Sequence, residues 1–173
     1  GGTTTAQSTT FSVGRFAEVS PSLALSDVDT STRGFLFHVV QSAEGLANST
    51  AAREDHLAGL VGGENVADDD GSDDFVWTLD LINLDQGESP AGEFSDRGDG
   101  TSRDVFDDLI PGIPGLTGSD DNFTIEINTV VRIPSAGLYA FGFNSDDGFR
   151  TTIGSDAADS VLGGEFDGGR GAA

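Results

Sequence analysis

The sequence predicts an all-β protein with antiparallel strands and one short helix. Apolar side chains, with a threonine in each series, occupy every second position between residues 123 and 131, and again on both sides of an acidic turn at 144–148. A period of two is that of a β-strand with one face against a core. Only residues 50–61 carry the features of a helix, so the helical content is predicted to be minor.

The N-terminal part of the chain is predicted to contain a tail and two strands. Residues 1–10 are rich in Gly, Thr and Ser, and we expect them to form a tail outside the core. Residues 11–173 are predicted to form a single domain, because 173 residues is the length of one globular unit. A first strand is predicted at 11–13, and the almost uninterrupted apolar run at 34–40 predicts a buried strand.

The one predicted helix spans residues 50–61. Asn48 or Ser49 is suited to cap its start, because either side chain accepts a hydrogen bond from an unpaired backbone N–H. Gly62 and Gly63 are expected to end it. Its apolar residues are Ala51, Ala52, Leu57, Leu60 and Val61.

Two strands and two loops are predicted between this helix and the acidic turn. Residues 68–74 form an acidic loop, and residues 75–84 form a strand. Residues 85–121, rich in Gly, Pro and Asp, are predicted to be a long loop, a length typical of functional segments. A strand at 123–131 follows. The residues expected in the core are Phe35, Phe37, Val39, Trp77, Leu79, Phe123, Ile125, Tyr139 and Phe141.

The charge of the chain excludes several classes of function. It has 30 acidic and 8 basic residues and a net charge of -22. Such a field repels nucleic acids and anionic membranes and attracts divalent cations. No apolar run approaches the length of a membrane span. The chain has no Cys, which excludes disulfide bonds and thiol chemistry.

The acidic turn carries the strongest signal of a binding site. It joins two predicted strands, 139–143 and 149–153, and holds adjacent carboxylates at Asp146 and Asp147. Neighbouring carboxylates repel each other unless a cation or hydrogen-bond donors hold them. With Asn144 they supply the oxygen ligands that calcium prefers, so the turn is a predicted calcium site. The alternative is a hydrated hairpin turn without an ion.

The same segment resembles the PA14 family, a β-sandwich module of secreted toxins, adhesins and glycosidases. The resemblance covers residues 121–154 and rests on Ile133, Pro134, Gly137, Tyr139 and Phe141, followed by Ser145, Asp146, Asp147 and Gly148. It implies an antiparallel β-sandwich. In the calcium-dependent, sugar-binding members, two consecutive aspartates hold the metal through a cis peptide bond, which implies this role for Asp146 and Asp147. Similar bacterial surface sequences continue into further strands, so the closing strands of the sandwich are expected to be incomplete in this chain. Either a segment that was cut away or a neighbouring subunit is expected to supply them.

Other acidic residues are candidates for additional cation ligands. Asp68, Asp70 and Asp73 form a second candidate cation site in the acidic loop, although their spacing does not match the helix-loop-helix calcium pattern. The alternative is a hydrated loop. Asp99 and Asp104, in the long loop, are candidates for further ligands.

The sequence gives little support for catalysis. Only His38 and His56 are suited to act as a base at neutral pH. His38 lies in the most apolar strand and is expected in the core, whereas His56 lies beside charged residues and is expected at the surface. Neither a Gly-x-Ser-x-Gly elbow nor a His-Glu-x-x-His motif is present. The many carboxylate pairs leave a glycosidase acid and base open by residue type, but no pair stands out, so the protein is predicted not to be an enzyme.

Two classes of function remain open at this stage. The first is a secreted or cell-surface module that binds glycans or matrix with calcium in adhesion. The second is a structural subunit of an extracellular filament or sheath, in which copies assemble through the Gly-rich termini, including Gly1, Gly2, Gly171 and Ala173.

Overall fold

A computed structural model describes residues 16–31, 33–85, 108–155 and 159–171. Within these ranges the strands are mostly antiparallel and there is a single α-helix, which confirms the predicted fold class. The predicted strand at 11–13 and the tail at 1–10 lie outside the described residues. After a short 3-10 helix at Pro21–Leu23, the elements are β1 Phe35–Gln41, α1 Thr50–Leu57, β2 Val76–Leu79, β3 Leu84–Asp85, β4 Asp108–Leu109, β5 Phe123–Asn128, β6 Phe149–Gly154 and β7 Ser160–Phe166.

The central sheet has the strand order β2-β1-β5, and both pairings are antiparallel. Phe37 of β1 lies opposite Trp77 on β2 and Ile127 on β5. Phe37 and Val39 are fully buried, whereas Leu36, which directly precedes Phe37, is 55% exposed. The apolar run of β1 therefore buries the face that carries Phe37 and Val39, and the opposite face is open at Leu36. Strands β3 and β4 form a short parallel pair, and β6 and β7 form a separate antiparallel hairpin.

The core lies on the buried face of β1. Its buried residues are Phe37, Val39, Ala67, Ile110 and Ile113, and Phe75, Trp77, Leu79, Ile82, Leu84, Phe123 and Ile125 pack against them. Six of the residues expected in the core are thus confirmed: Phe37, Val39, Trp77, Leu79, Phe123 and Ile125. Phe35 is only half-buried. Ala67, Ile110 and Ile113 were not expected, because they lie in segments without strand periodicity.

The expectation that Tyr139 and Phe141 lie in the core is wrong. Their side chains are 42% and 53% exposed, and residues 139–143 form no strand. The strand predicted at 123–131 also ends at Asn128. The alternation of apolar side chains sets the face to which each one points, but a strand also needs a backbone partner. Within the described part of the chain, residues 139–143 have no such partner.

The helix is shorter than predicted. Ser49 caps its start, as expected, and its Oγ accepts the N–H of Ala52 at 3.2 Å. The helix ends at Leu57 instead of residue 61. Gly59 adopts a left-handed φ of 69°, which glycine tolerates and which commonly ends a helix. Leu60 and Val61 consequently lie beyond the helix and are exposed.

The two histidines occupy the reverse of their expected environments. His56 is 1% exposed, and its Nδ1 lies 2.9 Å from Oγ1 of Thr124 on β5. Burial lowers the pKa of His56, which favours the neutral ring. His38 is partly exposed, with Nδ1 3.8 Å from a carboxylate oxygen of Glu126. Helix α1 is attached to the sheet through the face that carries His56, and the charges of its neighbours Glu54 and Asp55 do not prevent this.

Replacing Gly62 with alanine is expected to destabilise the protein by about 1–3 kcal/mol. Gly62 has a φ of 88°, and a Cβ there would lie 2.7 Å from the buried His56 ring. Gly63→Ala is the matched control, because Gly63 also has a positive φ but no atom lies within 4 Å of its added Cβ. Urea unfolding of both variants would separate the steric contribution to the loss of stability from the cost of the positive φ. Equal losses would show that the His56 ring adapts.

Among the described residues, no helix is both long enough and apolar enough to span a membrane.

Candidate metal centre

The predicted calcium turn lies beside a loop from the end of the chain. We call residues 144–148 the aspartate turn and residues 167–171 the return loop. The aspartate turn leads into β6, and the return loop follows β7. Because Phe149 at the start of β6 pairs with Phe166 at the end of β7, the two segments lie at the same end of the hairpin. Along β6, Phe149, Thr151 and Ile153 are the half-buried residues, as their alternation predicted.

The aspartate turn presents two carboxylates with accessible oxygen atoms. The peptide bond between Asp146 and Asp147 is cis, the conformation that the family resemblance implies. Asp146 is exposed and makes no hydrogen bond or ion pair with a described residue. Oδ1 of Asp147 accepts the backbone N–H of Arg170 at 3.1 Å. Ser145 Oγ donates to the carbonyl oxygen of Asp147 at 2.8 Å. Asn144 is half-buried on the same turn.

The oxygen atoms of the aspartate turn are suited to bind a hard cation. In the described ranges, no three Asp, Glu, His or Cys side chains converge as metal ligands. An ion at this turn would therefore be held by two carboxylates together with amide or carbonyl oxygens. Calcium accepts such mixed oxygen donors, whereas zinc and other softer metals prefer nitrogen and sulfur.

Arg170 joins the return loop to the aspartate turn. Its Nε donates to the carbonyl oxygen of Ser145 at 2.8 Å. Its guanidinium lies 5.8 Å from the ring centre of Phe149 and 5.3 Å from that of Phe166, within the range of cation–π attraction. Phe143 stacks on Phe149 with ring centres 5.4 Å apart. The turn, the hairpin and the loop thus share one contact network.

The other end of the return loop is fixed to helix α1. Oδ1 of Asp167 accepts the backbone N–H of Thr50, the first residue of α1, at 2.6 Å. This hydrogen bond is the main reason that the pKa of Asp167 lies below its usual range, and the charge of Arg53 contributes. A carboxylate at a helix N-terminus is also favoured by the helix dipole. Arg53 in turn donates to Oδ1 of Asn48 at 2.9 Å.

Two glycines permit this close packing. A Cβ at Gly148 would collide with the Arg53 guanidinium and with the carbonyl oxygen of Phe166. A Cβ at Gly169 would lie 3.2 Å from Asn48 Nδ2 and 3.3 Å from Asp147 Oδ1. The backbone of the return loop therefore approaches the aspartate turn more closely than most side chains would allow.

The remaining predicted site residues stay predictions. Asp68, Asp70 and Asp73 are all exposed in the acidic loop before β2. The backbone N–H of Asp68 donates to Gly112 at 2.9 Å, and Asp73 forms an isolated β-bridge with Val76. Gly171 is exposed in the return loop. The other predicted residues lie outside the described ranges: Asp99, Asp104, Gly1, Gly2 and Ala173.

The sequence did not identify Asp167 or Arg170 as site residues. Both lie in a Gly-rich segment without periodicity. Their proximity to the turn depends on the β6–β7 register, which contains a bulge between Thr151 and Thr152. No local pattern in the sequence reveals that register.

The described part of the chain is a mainly β module with an oxygen-rich turn, and its one helix is short. A comparison with protein families agrees with this class, since a model of the PA14 domain matches residues 43–157, about two thirds of the chain. The protein belongs to the PA14 domain family. No curated protein and no solved structure was found to match the chain. PA14 domains are generally binding modules of secreted or surface proteins, and many bind carbohydrates.

Proposed function

We propose that the protein is a non-catalytic, secreted or cell-surface module that uses calcium at the aspartate turn to bind glycans or matrix in adhesion. The observation that carries this proposal is the exposed pair Asp146 and Asp147. Their carboxylates are adjacent, and only one of their oxygens accepts a hydrogen bond from a described residue. Membership of the PA14 family supports a carbohydrate as the ligand.

The residues around the turn are suited to bind a sugar. Bound calcium would supply open coordination positions for sugar hydroxyl groups. Asp146 and Asp147 would hold the ion, and Asn144 would contribute an amide oxygen. Phe143 and Phe166 lie beside the turn with exposed ring surface, which is suited to pack against the apolar face of a sugar ring.

The charge of the protein supports a cation-dependent function. A net charge of -22 raises the local concentration of divalent cations and repels nucleic acids. The family comparison supports binding over catalysis. Of the two histidines, His56 is buried and engaged with Thr124, so it is not accessible to a substrate.

A glycan array probed with and without calcium tests the proposal. We expect binding to a subset of glycans in millimolar calcium, and a loss of about tenfold or more in affinity when calcium is chelated, equivalent to about 1.4 kcal/mol. Magnesium is the matched control, because its small size and strict octahedral geometry suit this mixed site poorly. Binding that persists unchanged in chelator, or no binding in calcium, would contradict the proposal.

A second candidate function, a structural subunit of an extracellular filament or sheath, is favoured by one observation. Residues 130–143 carry a series of exposed apolar side chains: Val130, Val131, Ile133, Leu138, Tyr139, Phe141 and Phe143. Apolar segments without a strand partner can pair with strands of other chains by strand addition. Light scattering on the array samples separates the two functions, since only the second requires a molar mass above that of one chain.

A further inference from the structure

We propose that Arg170 is a positioning residue for calcium, which fastens the return loop to the aspartate turn and thereby raises calcium affinity at Asp146 and Asp147. This inference rests on the calcium site proposed above. It concerns a residue that lies beyond the part of the chain matched by the family model.

Arg170 makes three kinds of contact with one end of the β6–β7 hairpin. Its backbone N–H bonds Asp147 Oδ1, and its Nε bonds the carbonyl oxygen of Ser145. Its guanidinium also lies over the rings of Phe149 and Phe166. The backbone contact orients a candidate ligand directly. The side-chain hydrogen bond holds Ser145, so the backbone and side chain of Arg170 together restrain the residues on both sides of Asp146.

The guanidinium of Arg170 contacts neutral groups of the turn and hairpin instead of a carboxylate. The other arginines of the region have acidic partners: Arg53 lies 3.8 Å from Asp167, and Arg150 lies 2.8 Å from Glu165. Arg170 forms no ion pair with any carboxylate in the described segments. Its positive charge instead faces a carbonyl oxygen and two aromatic rings, which are neutral groups with negative potential.

The return loop is attached at both ends. Asp167 fixes its start to the N-terminus of α1 through Thr50, and Arg170 fixes its far side to the turn. Gly168, with a φ of 108°, and Gly169 form the short link between them. Because α1 is itself attached to β5 through His56, the turn is braced against the central sheet.

Electrostatics and positioning predict opposite effects for Arg170. A guanidinium beside a calcium site repels the ion, so loss of the charge alone would strengthen calcium binding. Loss of positioning would weaken it, because the turn would have to be ordered when the ion binds. Mutation of a residue that orients metal ligands commonly lowers metal affinity by about 10- to 100-fold. The sign of the change therefore identifies the role.

The experiment is isothermal titration with calcium at physiological ionic strength on the wild-type chain and three variants. We expect Arg170→Ala to weaken calcium binding by about tenfold or more. Arg170→Lys is expected to retain part of the affinity, because an ammonium group still donates to Ser145 but lacks the planar stacking surface. Arg150→Ala is the matched control, because it removes the same charge from the hairpin. The Arg150 side chain contacts Glu54 and Glu165 and not the aspartate turn, so its loss should leave calcium affinity unchanged or raise it.

Hydrogen exchange in chelator adds a readout that does not require calcium. In Arg170→Ala, amides of residues 144–148 should exchange faster, while those of β1 keep their wild-type rates. If the wild-type chain binds calcium and Arg170→Ala binds it as tightly or more tightly, only the positioning role is overturned. A wild-type chain that does not bind calcium would overturn the proposed metal site, and the positioning role with it.

Discussion

Replacing Phe37 with alanine is expected to lower the free energy of unfolding by about 3–5 kcal/mol. Phe37 is fully buried at the middle of the central strand, with Val39 as its buried neighbour on the same face. Its ring packs edge-on against Trp77, with ring centres 6.4 Å apart. The truncation would remove this contact and leave a cavity that β1, held on both sides by β2 and β5, has little freedom to fill.

Leu36→Ala is the matched control for this prediction. Leu36 is the preceding residue of the same strand, but its side chain points to the open face. Its replacement should change stability by no more than about 0.5 kcal/mol. Urea unfolding followed by Trp77 fluorescence measures both effects. Similar losses in the two variants would show that Leu36 is covered as well, contrary to its exposure in the structure.

The regular strands were predictable because their periodicity and their packing agree. In β1, apolar residues meet the core at every second position, and the same holds for the start of β5. The N-cap at Ser49 was predictable for a similar reason, because the capping hydrogen bond is made within one turn of the chain. Local chemistry determines these features, and the sequence records it.

Features that depend on distant parts of the chain were not predictable in this way. Ile110 and Ile113 enter the core from a segment with a cis Ile113–Pro114 bond and no strand period. His56 is buried because α1 docks on β5, a contact that the charged neighbours of His56 conceal in the sequence. Residues 139–143 show the converse: a clear period of two without a backbone partner in the described segments.

The candidate site likewise has a part that the sequence predicts and a part that depends on the fold. Asp146, Asp147 and Asn144 are adjacent in the sequence, and their chemistry alone suggests a cation. The return loop reaches them only through the pairing of β6 with β7, and its attachment to α1 joins residues more than a hundred positions apart in the chain. Proximity of this kind is a property of the fold.

Replacing Asp147 with alanine is expected to abolish the stabilisation of the protein by calcium. A ligand that binds only the folded state at 100 times its Kd adds about 2.7 kcal/mol, which corresponds to a rise in Tm of about 5–10 °C for a domain of this size. Asp147→Ala removes one of the two carboxylates and the acceptor of the Arg170 N–H. We therefore expect the wild-type Tm to rise with calcium and the variant Tm to remain constant.

Asp120→Ala is the control for the loss of one negative charge. Asp120 is an exposed carboxylate on the loop before β5, away from the aspartate turn in the chain. This variant should keep the full rise in Tm with calcium, because a net charge of -22 attracts calcium diffusely in both variants.

Low ionic strength is the most demanding condition, since diffuse attraction is then strongest. A wild-type Tm that chelator leaves unchanged at low salt would show that the turn is hydrated and holds no ion. An equal shift in wild type and both variants would instead assign the calcium effect to the acidic surface as a whole.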